Sequence, residues 1–230
     1  MVAEALAELP ALAQTFEVVV VDDGSRDGTG AIADRLAGAH PALVRVIHHE
    51  RNRGYGAALR SGFGAARHPL ICFTDGDRQF RVADIDRLLA RMAAGDAPDV
   101  VAGYRLNRAD ATVRLLYARA YRLCLRLFFG LPVRDVDCAC KLFRRAALAD
   151  IQLESGGAFL SAELLIKVRA RGRVVVEVGV PHHPRTAGRA SGANPRVVWR
   201  AVRDFWALRL RLWFGPRRAL ERGEAVLGER

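Results

Sequence analysis

Pro69-Leu-Ile-Cys-Phe-Thr-Asp75-Gly-Asp77 is an apolar run that stops on two carboxylates. Its length and unbroken hydrophobicity suit a strand buried on both faces, the kind found in parallel sheets. Hard cations such as Mg²⁺ and Mn²⁺ take carboxylate oxygen and keep positions open for substrate phosphates. Two carboxylates flanking one small residue therefore fit a divalent-metal and diphosphate site. Gly76 allows close backbone approach and whatever turn the chain needs. Asp-Gly is also ordinary turn chemistry, so the triplet alone supports either reading.

The surrounding chain alternates regularly. Upstream, Val2 to Leu12 has a helical pattern and Phe16 to Val21 reads as a buried strand running into Asp22-Asp23-Gly24-Ser25. Thr29 to Leu36 follows as a helix, Leu43 to His48 as a strand, and Gly56 to Ala66 as a helix. Downstream, Val82 to Ala94 is helical and Asp99 to Gly103 is a strand ending at Tyr104-Arg105. Apolar strands alternating with helices specify an α/β sheet covered on both faces. In such sheets ligands bind beyond the carboxyl ends of the strands. Polar clusters stand at those ends here: Asp22-Asp23, Asp75-Asp77 and Tyr104-Arg105. Helix capping accounts for Ser25 or Asp27. It does not account for adjacent carboxylates directly after four valines.

The second half is less regular. Thr112 to Phe129 is a long helix mixing Arg with Leu, Tyr and Phe, and Lys141 to Arg145 is a short strand-like piece. Phe159 to Arg171 is a helix bearing Glu163, and Arg173 to Val180 is a strand. Pro181 to Pro195 is a polar loop containing His182, His183, Arg185 and Arg189. Val197 to Phe214 is a basic amphipathic helix with Trp199, Trp206 and Trp213.

Bulk properties narrow the classes. A chain of 230 residues with 51% hydrophobic content builds one substantial core and is not disordered. The net charge is +11, and only Lys141 and Lys167 are lysines, so the basic charge is nearly all Arg. Arg suits bidentate phosphate contacts, although an Arg-rich composition also arises without function. The chain shows none of the common nucleic-acid-binding signatures, so nucleic acid is not expected as a partner. Four scattered cysteines make neither a disulfide framework nor a zinc site. No signal peptide or spanning run is visible, and a reduced, cytoplasmic setting is expected.

Taken in order, several segments resemble the family 2 glycosyltransferases, which have the GT-A fold, a Rossmann-like, mostly parallel sheet with helices on both faces. The closer likeness is to the polyprenyl-phosphate branch, the one typified by dolichyl-phosphate-mannose synthase. The matching text begins with Glu17-Val-Val-Val-Val-Asp22-Asp23-Gly-Ser-Arg-Asp-Gly-Thr29 and Asn52-Arg-Gly54-Tyr-Gly56 through Gly62-Phe63. It continues with Asp75-Gly-Asp77-Arg-Gln79, Gly103-Tyr-Arg105, and Asp135-Val-Asp-Cys138-Ala-Cys-Lys141-Leu-Phe143. It ends with Glu163 to Lys167 and the Arg185 to Ser191 loop. The likeness implies a glycosyltransferase domain over residues 1–195 and a basic C-terminal helix and tail over 196–230.

By this resemblance Asp22 and Asp23 would contact the nucleotide of a sugar donor. Asp75 would lie near the ribose and the metal, and Asp77 would hold Mg²⁺ or Mn²⁺ on the diphosphate. Gln79 would lie near the transferred sugar. Arg105 and Arg114 would face an acceptor phosphate, while Arg185 and Arg189 would close over the diphosphate. The implied reaction moves a hexose from a nucleotide-sugar to a polyprenyl phosphate with inversion. A phosphate acceptor is already an anion and needs no base, whereas a sugar or protein hydroxyl would need one, with Glu163 the candidate. Glu163 also reads as an i,i+4 partner of Lys167. His182 and His183 read as loop residues rather than metal ligands.

The two Arg-rich amphipathic helices suit either core packing or peripheral contact with an anionic membrane. Core packing is expected of the first and membrane contact of the second, at the inner face. A non-catalytic module binding a membrane or partner is the competing reading. The sequence sets no oligomeric state. One departure stands out. Relatives begin with a strand and a Pro-x-Tyr-Asn-Glu-like segment that holds the nucleotide base, whereas Met1-Val-Ala-Glu opens within the first helix. Loss of that strand would leave neighbouring strand edges unpaired, and the expectation is that the true start lies upstream of Met1.

Overall fold

The computed structural model describes residues 1–106, 112–184 and 195–214, with the side chains of 112–116 and 195 outside the description. Strand β1 (Val18–Asp22) pairs in parallel with β2 (Val44–His48), Val18 opposite Val44 and Asp22 opposite His48. Strands β3 (Leu70–Phe73), β4 (Val100–Arg105), β5 (Lys141–Arg144) and β6 (Val175–Val180) form a second sheet in the order β3-β5-β4-β6. β4 and β6 are parallel, but β5 runs antiparallel to both of its neighbours. The alternating α/β reading holds, with two departures: the strands make two sheets, and the larger is mixed.

Those departures have local causes. β5 starts opposite the last residue of β3, Lys141 beside Phe73. The chain thus enters the sheet at the end where β3 leaves it, which is an antiparallel entry. The split falls between β1 and β3, the strands that carry Asp22 and Asp75. β1 pairs only with β2, and its four valines are half-buried rather than buried.

Helix α3 (Tyr55–Ala65) ties the sheets together. Its Phe63 ring lies 5.8 Å from Phe73 and 5.7 Å from Phe143, edge-on to both. Gly62 on the same helix faces Val21 of β1, where an added Cβ would meet Cγ2 at 3.5 Å. A polar seam reinforces the joint. The Arg45 guanidinium donates to Glu17 at 2.6 Å and to the Ala65 carbonyl at 2.5 Å, and Glu17 accepts the Arg67 N–H at 2.6 Å.

The remaining helices are α1 (Val2–Leu12), α2 (Thr29–Ala39), α4 (Ile85–Met92), α5 (Thr112–Phe129), α6 (Leu160–Ala170) and α7 (Pro195–Phe214). A short 3-10 helix at Val82–Asp84 precedes α4, within the stretch expected to be one helix. The main core lies around the mixed sheet and α6, with Leu88, Leu125, Phe143, Phe159, Leu160 and Leu165 wholly buried. Each such side chain contributes roughly 1.5–3 kcal/mol by leaving water. α7 joins this core through Phe205, whose ring lies 4.9 Å from Phe129 and 5.9 Å from Phe159.

The start of α3 presses against the loop before α6. A Cβ on Gly56 would sit 2.3 Å from the Ser155 carbonyl, whereas one on Gly64 would meet nothing within 4 Å. Gly56→Ala is expected to lower stability by about 1–3 kcal/mol through overpacking. Gly64→Ala should raise it by roughly 0.5–1 kcal/mol through helix propensity. Denaturant melts of the two single variants against the parent measure both; equal shifts of the same sign would contradict the packing.

Candidate active site

Asp22 ends β1 buried, and its carboxylate is committed. Oδ1 accepts the Ser25 N–H at 3.0 Å, and Oδ2 lies 3.0 Å from His48 Nδ1. The Ser25 hydrogen bonds and the His48 contact hold it below the usual carboxylate range. Asp23 is more heavily engaged. It accepts the N–H groups of Arg53 and Gly54 at 2.9 and 2.8 Å and lies 2.6 Å from buried His49 Nδ1. Burial would raise the Asp23 pKa, but these hydrogen bonds outweigh it and lower the value. His49 Nε2 continues to Ser61 Oγ at 2.8 Å. At the carboxyl end of β1, Asp22 therefore fixes the Ser25 loop, and Asp23 fixes the Arg51–Gly54 turn and the start of α3.

That turn leads to the Asp75 triplet. Gly54 donates to Asp23, and the next residue, Tyr55, has its hydroxyl hydrogen-bonded to Asp75 and Ser161. Two consecutive residues thus connect the carboxylates of β1 and β3, although those strands lie in different sheets. Burial and the neighbouring Asp75 carboxylate push the Tyr55 phenol up, so it stays a neutral donor. Tyr55 stands in the matching Asn52 to Gly56 segment but was not expected at the site, because a tyrosine after a glycine has no periodic or spacing signal.

Asp77 Oδ1 accepts the Gln79 N–H at 3.0 Å, which is the turn chemistry expected of the triplet. Gly76 is not the strained residue. Its φ is ordinary and nothing lies within 4 Å of its Cβ position, whereas Arg78 takes φ 60°. Gln79 is tied to the end of β6: His183 N–H donates to its carbonyl at 2.9 Å, and its Nε2 donates back at 3.4 Å. The His182 ring lies 5.5 Å from Phe80. The histidine loop accordingly adjoins the triplet, a proximity that the sequence reading did not foresee. Among the described residues no three His, Cys, Asp or Glu side chains form a metal-sized group. Thr74 Oγ1, directly before Asp75, is buried without a hydrogen-bond partner.

The other expected residues divide. Arg105 ends β4 but does not present a free charge. Its Nε and Nη2 donate to the two oxygens of Asp135 at 2.6 and 2.8 Å. Burial would lower the Arg105 pKa, and pairing with Asp135 reverses that. A cavity of about 290 Å³ opens there, walled by Tyr104, Arg105, Arg119, Arg122, Arg134 and Asp135. Arg134 lies over the Tyr104 ring at 4.8 Å, and Arg122 Nε is buried without a partner. Arg119, Arg122 and Arg134 were not singled out in the sequence, although 119 and 122 share a helical face with cavity residue Ala118. Arg114 lies on α5 with its side chain outside the described residues, and Arg185 and Arg189 are also outside them.

Glu163 is not placed as a base. It is 2% exposed, accepts the Glu154 and Ser155 N–H groups at 2.9 and 2.8 Å, and pairs with Lys167 at 2.6 Å. Two of these hydrogen bonds hold the loop before α6 and the third is the expected i,i+4 pairing with Lys167.

The Glycosyl transferase family 2 model matches residues 1–152. The chain belongs to that family. It is 33% identical over 209 residues to the polyprenol monophosphomannose synthase of Mycolicibacterium smegmatis, covering 85% of this chain and 77% of that protein. It is 31% identical over 189 residues to an undecaprenyl-phosphate 4-deoxy-4-formamido-L-arabinose transferase of Pseudomonas paraeruginosa, covering 81% of this chain and 54% of that protein. Among solved structures, glucosyl-3-phosphoglycerate synthase from Mycobacterium tuberculosis with Mn²⁺, uridine diphosphate and phosphoglyceric acid is similar in fold. That likeness has a TM-score of 0.70 at 19% identity, over 90% of this chain and 72% of that one. The chain is a glycosyltransferase with the GT-A fold.

The carboxyl end of β1 also carries a titrating joint. His48 Nε2 lies 2.8 Å from Asp34 Oδ1, so the imidazole bridges Asp34 and Asp22. The Asp34 contact, then the Asp22 contact, raise its pKa. A raised folded value contributes stability that is complete below about pH 6.5, the unfolded imidazole pKa, and lost as pH rises through the folded value. The difference in Tm between the parent and His48→Gln should therefore be largest on the acid side and shrink toward alkaline pH. A difference independent of pH would contradict the bridge.

Proposed function

We propose that this glycosyltransferase moves a hexose from a nucleotide-diphosphate sugar to a polyprenyl phosphate with inversion at the sugar carbon. The observation that carries the reading is the Arg-walled cavity at the end of β4, with Arg122 Nε buried and unpaired. A buried guanidinium N–H without a partner is costly, and an anionic oxygen is its best complement. The names of the Mycolicibacterium and Pseudomonas relatives point to the same acceptor class.

The donor diphosphate is assigned to the ends of β1 and β3. Asp75 and Asp77 would hold a divalent ion, Mg²⁺ or Mn²⁺, with further positions filled by donor phosphates and water, as such ions prefer. The unpaired Thr74 hydroxyl beside them fits that environment. The ion, when bound, neutralises charge that develops on the departing nucleoside diphosphate. Asp22 and Asp23 shape the nucleotide end through the Arg51–Gly54 turn, Tyr55 orients Asp75, and Gln79 faces the sugar. Arg185 and Arg189 are assigned to the diphosphate, and Arg114 joins the acceptor group.

The acceptor phosphate is a ready nucleophile. One of its oxygens bonds to the anomeric carbon as the bond from that carbon to the diphosphate oxygen breaks, and the nucleoside diphosphate leaves with the electron pair. No proton has to be removed, which agrees with the commitment of Glu163 to its loop. Arg119, Arg122 and Arg134 hold the phosphate, and Asp135 keeps Arg105 rigid at the cavity wall. A lipid acceptor places the work at a membrane surface. No helix among the described residues is long and apolar enough to cross a membrane, so contact through the described helices is peripheral.

The test is incubation of the protein with labelled nucleotide-sugars, Mg²⁺ or Mn²⁺ and polyprenyl phosphate, with extraction of lipid-linked product. Absence of lipid-linked label across a donor screen would overturn the proposal. Asp77→Ala should reduce transfer by about 10²-fold or more while circular dichroism stays unchanged. Arg119→Ala should raise the KM for the lipid acceptor by roughly tenfold, the loss of one charged hydrogen bond. An unchanged acceptor KM would remove Arg119 from the phosphate.

A further inference from the structure

α7 carries two apolar stripes. One, through Ala201, Phe205, Leu208 and Leu212, packs on the core. The other, through Trp199, Val202, Trp206, Leu210 and Trp213, follows the same helical spacing and faces outward. Trp199 is 70% exposed and Trp213 64%. The outer stripe continues onto α5, because Trp206 meets Phe128 edge-on at 5.3 Å and Tyr117, Leu123 and Leu127 are also exposed. An ordinary surface helix needs only the first stripe.

Beside the outer stripe lies a second cavity of about 340 Å³ between α5, α6 and α7. Its floor is Phe128, Phe129, Ile166 and Leu212, and its cations are Arg169 and Arg209. Arg209 lies over the Trp213 ring at 4.8 Å, and its Nε is buried without a partner. An apolar floor beneath an unpaired guanidinium Nε fits an amphiphile with an anionic head. Like the first cavity it contains a buried Arg Nε that lacks an acceptor.

We infer that the outer face of α5 and α7 docks on an anionic bilayer, and that the Arg169–Arg209 cavity takes the phosphate of a membrane phospholipid. This deepens the proposed function, since it rests on the reading that the acceptor is a lipid. Charge favours the bilayer over a second copy. Exposed Arg196, Arg200, Arg203 and Arg211 accompany the stripe, and the whole chain is +11. Two copies meeting on this face would oppose like charges, whereas an anionic surface attracts Arg while Trp enters the interface. The two cavities lie along α5 about 16 Å apart, from Ala118 to Phe129 at 1.5 Å per residue. Docking would therefore hold the acceptor cavity close to the lipid surface.

The experiment uses sedimentation with vesicles of phosphatidylcholine alone or mixed with phosphatidylglycerol, containing no polyprenyl phosphate, with tryptophan emission as a second readout. The full chain should bind the anionic vesicles in preference and shift its emission to the blue. Trp199→Ser with Trp213→Ser should weaken binding about tenfold or more. Arg169→Gln with Arg209→Gln should weaken it and reduce the preference for phosphatidylglycerol. Absence of binding with unshifted emission would overturn the inference. So would a dimer in light scattering that the Trp substitutions dissociate. Because these vesicles lack acceptor, binding without any transferase activity would leave this inference standing and remove the proposed reaction.

Discussion

A buried ammonium fixes the loop that precedes β5. Lys141 is wholly inaccessible, and its Nζ donates to the Val136 carbonyl at 3.0 Å and to the Cys138 carbonyl. The Phe73 ring lies 5.5 Å away as a third, weaker partner. Taking an ammonium out of water costs several kcal/mol unless its protons are matched, and burial accordingly lowers the Lys141 pKa. The matching partners are carbonyls of the loop that precedes β5. The loop must therefore curl back over Lys141, and in doing so it delivers Asp135 to Arg105.

The same device recurs elsewhere with the signs reversed. Carboxylates collect backbone N–H groups of loops: Asp23, after β1, from Arg53 and Gly54, Glu17, before β1, from Arg67, and Glu163 on α6 from Glu154 and Ser155. Each joint matches backbone groups that a chain reversal would otherwise leave unpaired. The site is consequently a set of loops held by charged anchors on rigid strands. Several polar residues at the strand ends are thereby already hydrogen-bonded within the chain.

This division explains what the sequence disclosed. The strand ends at Asp22 and Asp75 were legible because a continuous apolar run followed by carboxylates has few other meanings. The long helices were legible from their periodicity, and α1 and α5 match their expected limits. The antiparallel entry of β5 was not, since four residues carry no direction. Nor was the engagement of Arg105, because a partner 30 positions away leaves no local pattern. Arg119 and Arg122 were hidden among many similar arginines; only the fold distinguishes those that wall a cavity from those that face solvent. The split into two sheets, β1 with β2 and β3 to β6 apart, was not legible either, because strand pairing partners leave no local pattern.

The cavities also bear on chemistry. One buried, unmatched guanidinium nitrogen stands in each, while Glu163 is tied to Glu154, Ser155 and Lys167. An unmatched cationic donor in the cavity wall suits an acceptor that arrives charged. The most direct measurement of that claim compares a polyprenyl phosphate with the polyprenol of the same chain length as acceptors for one labelled donor. The account predicts label on the phosphate alone, and equal transfer to the neutral alcohol would contradict it.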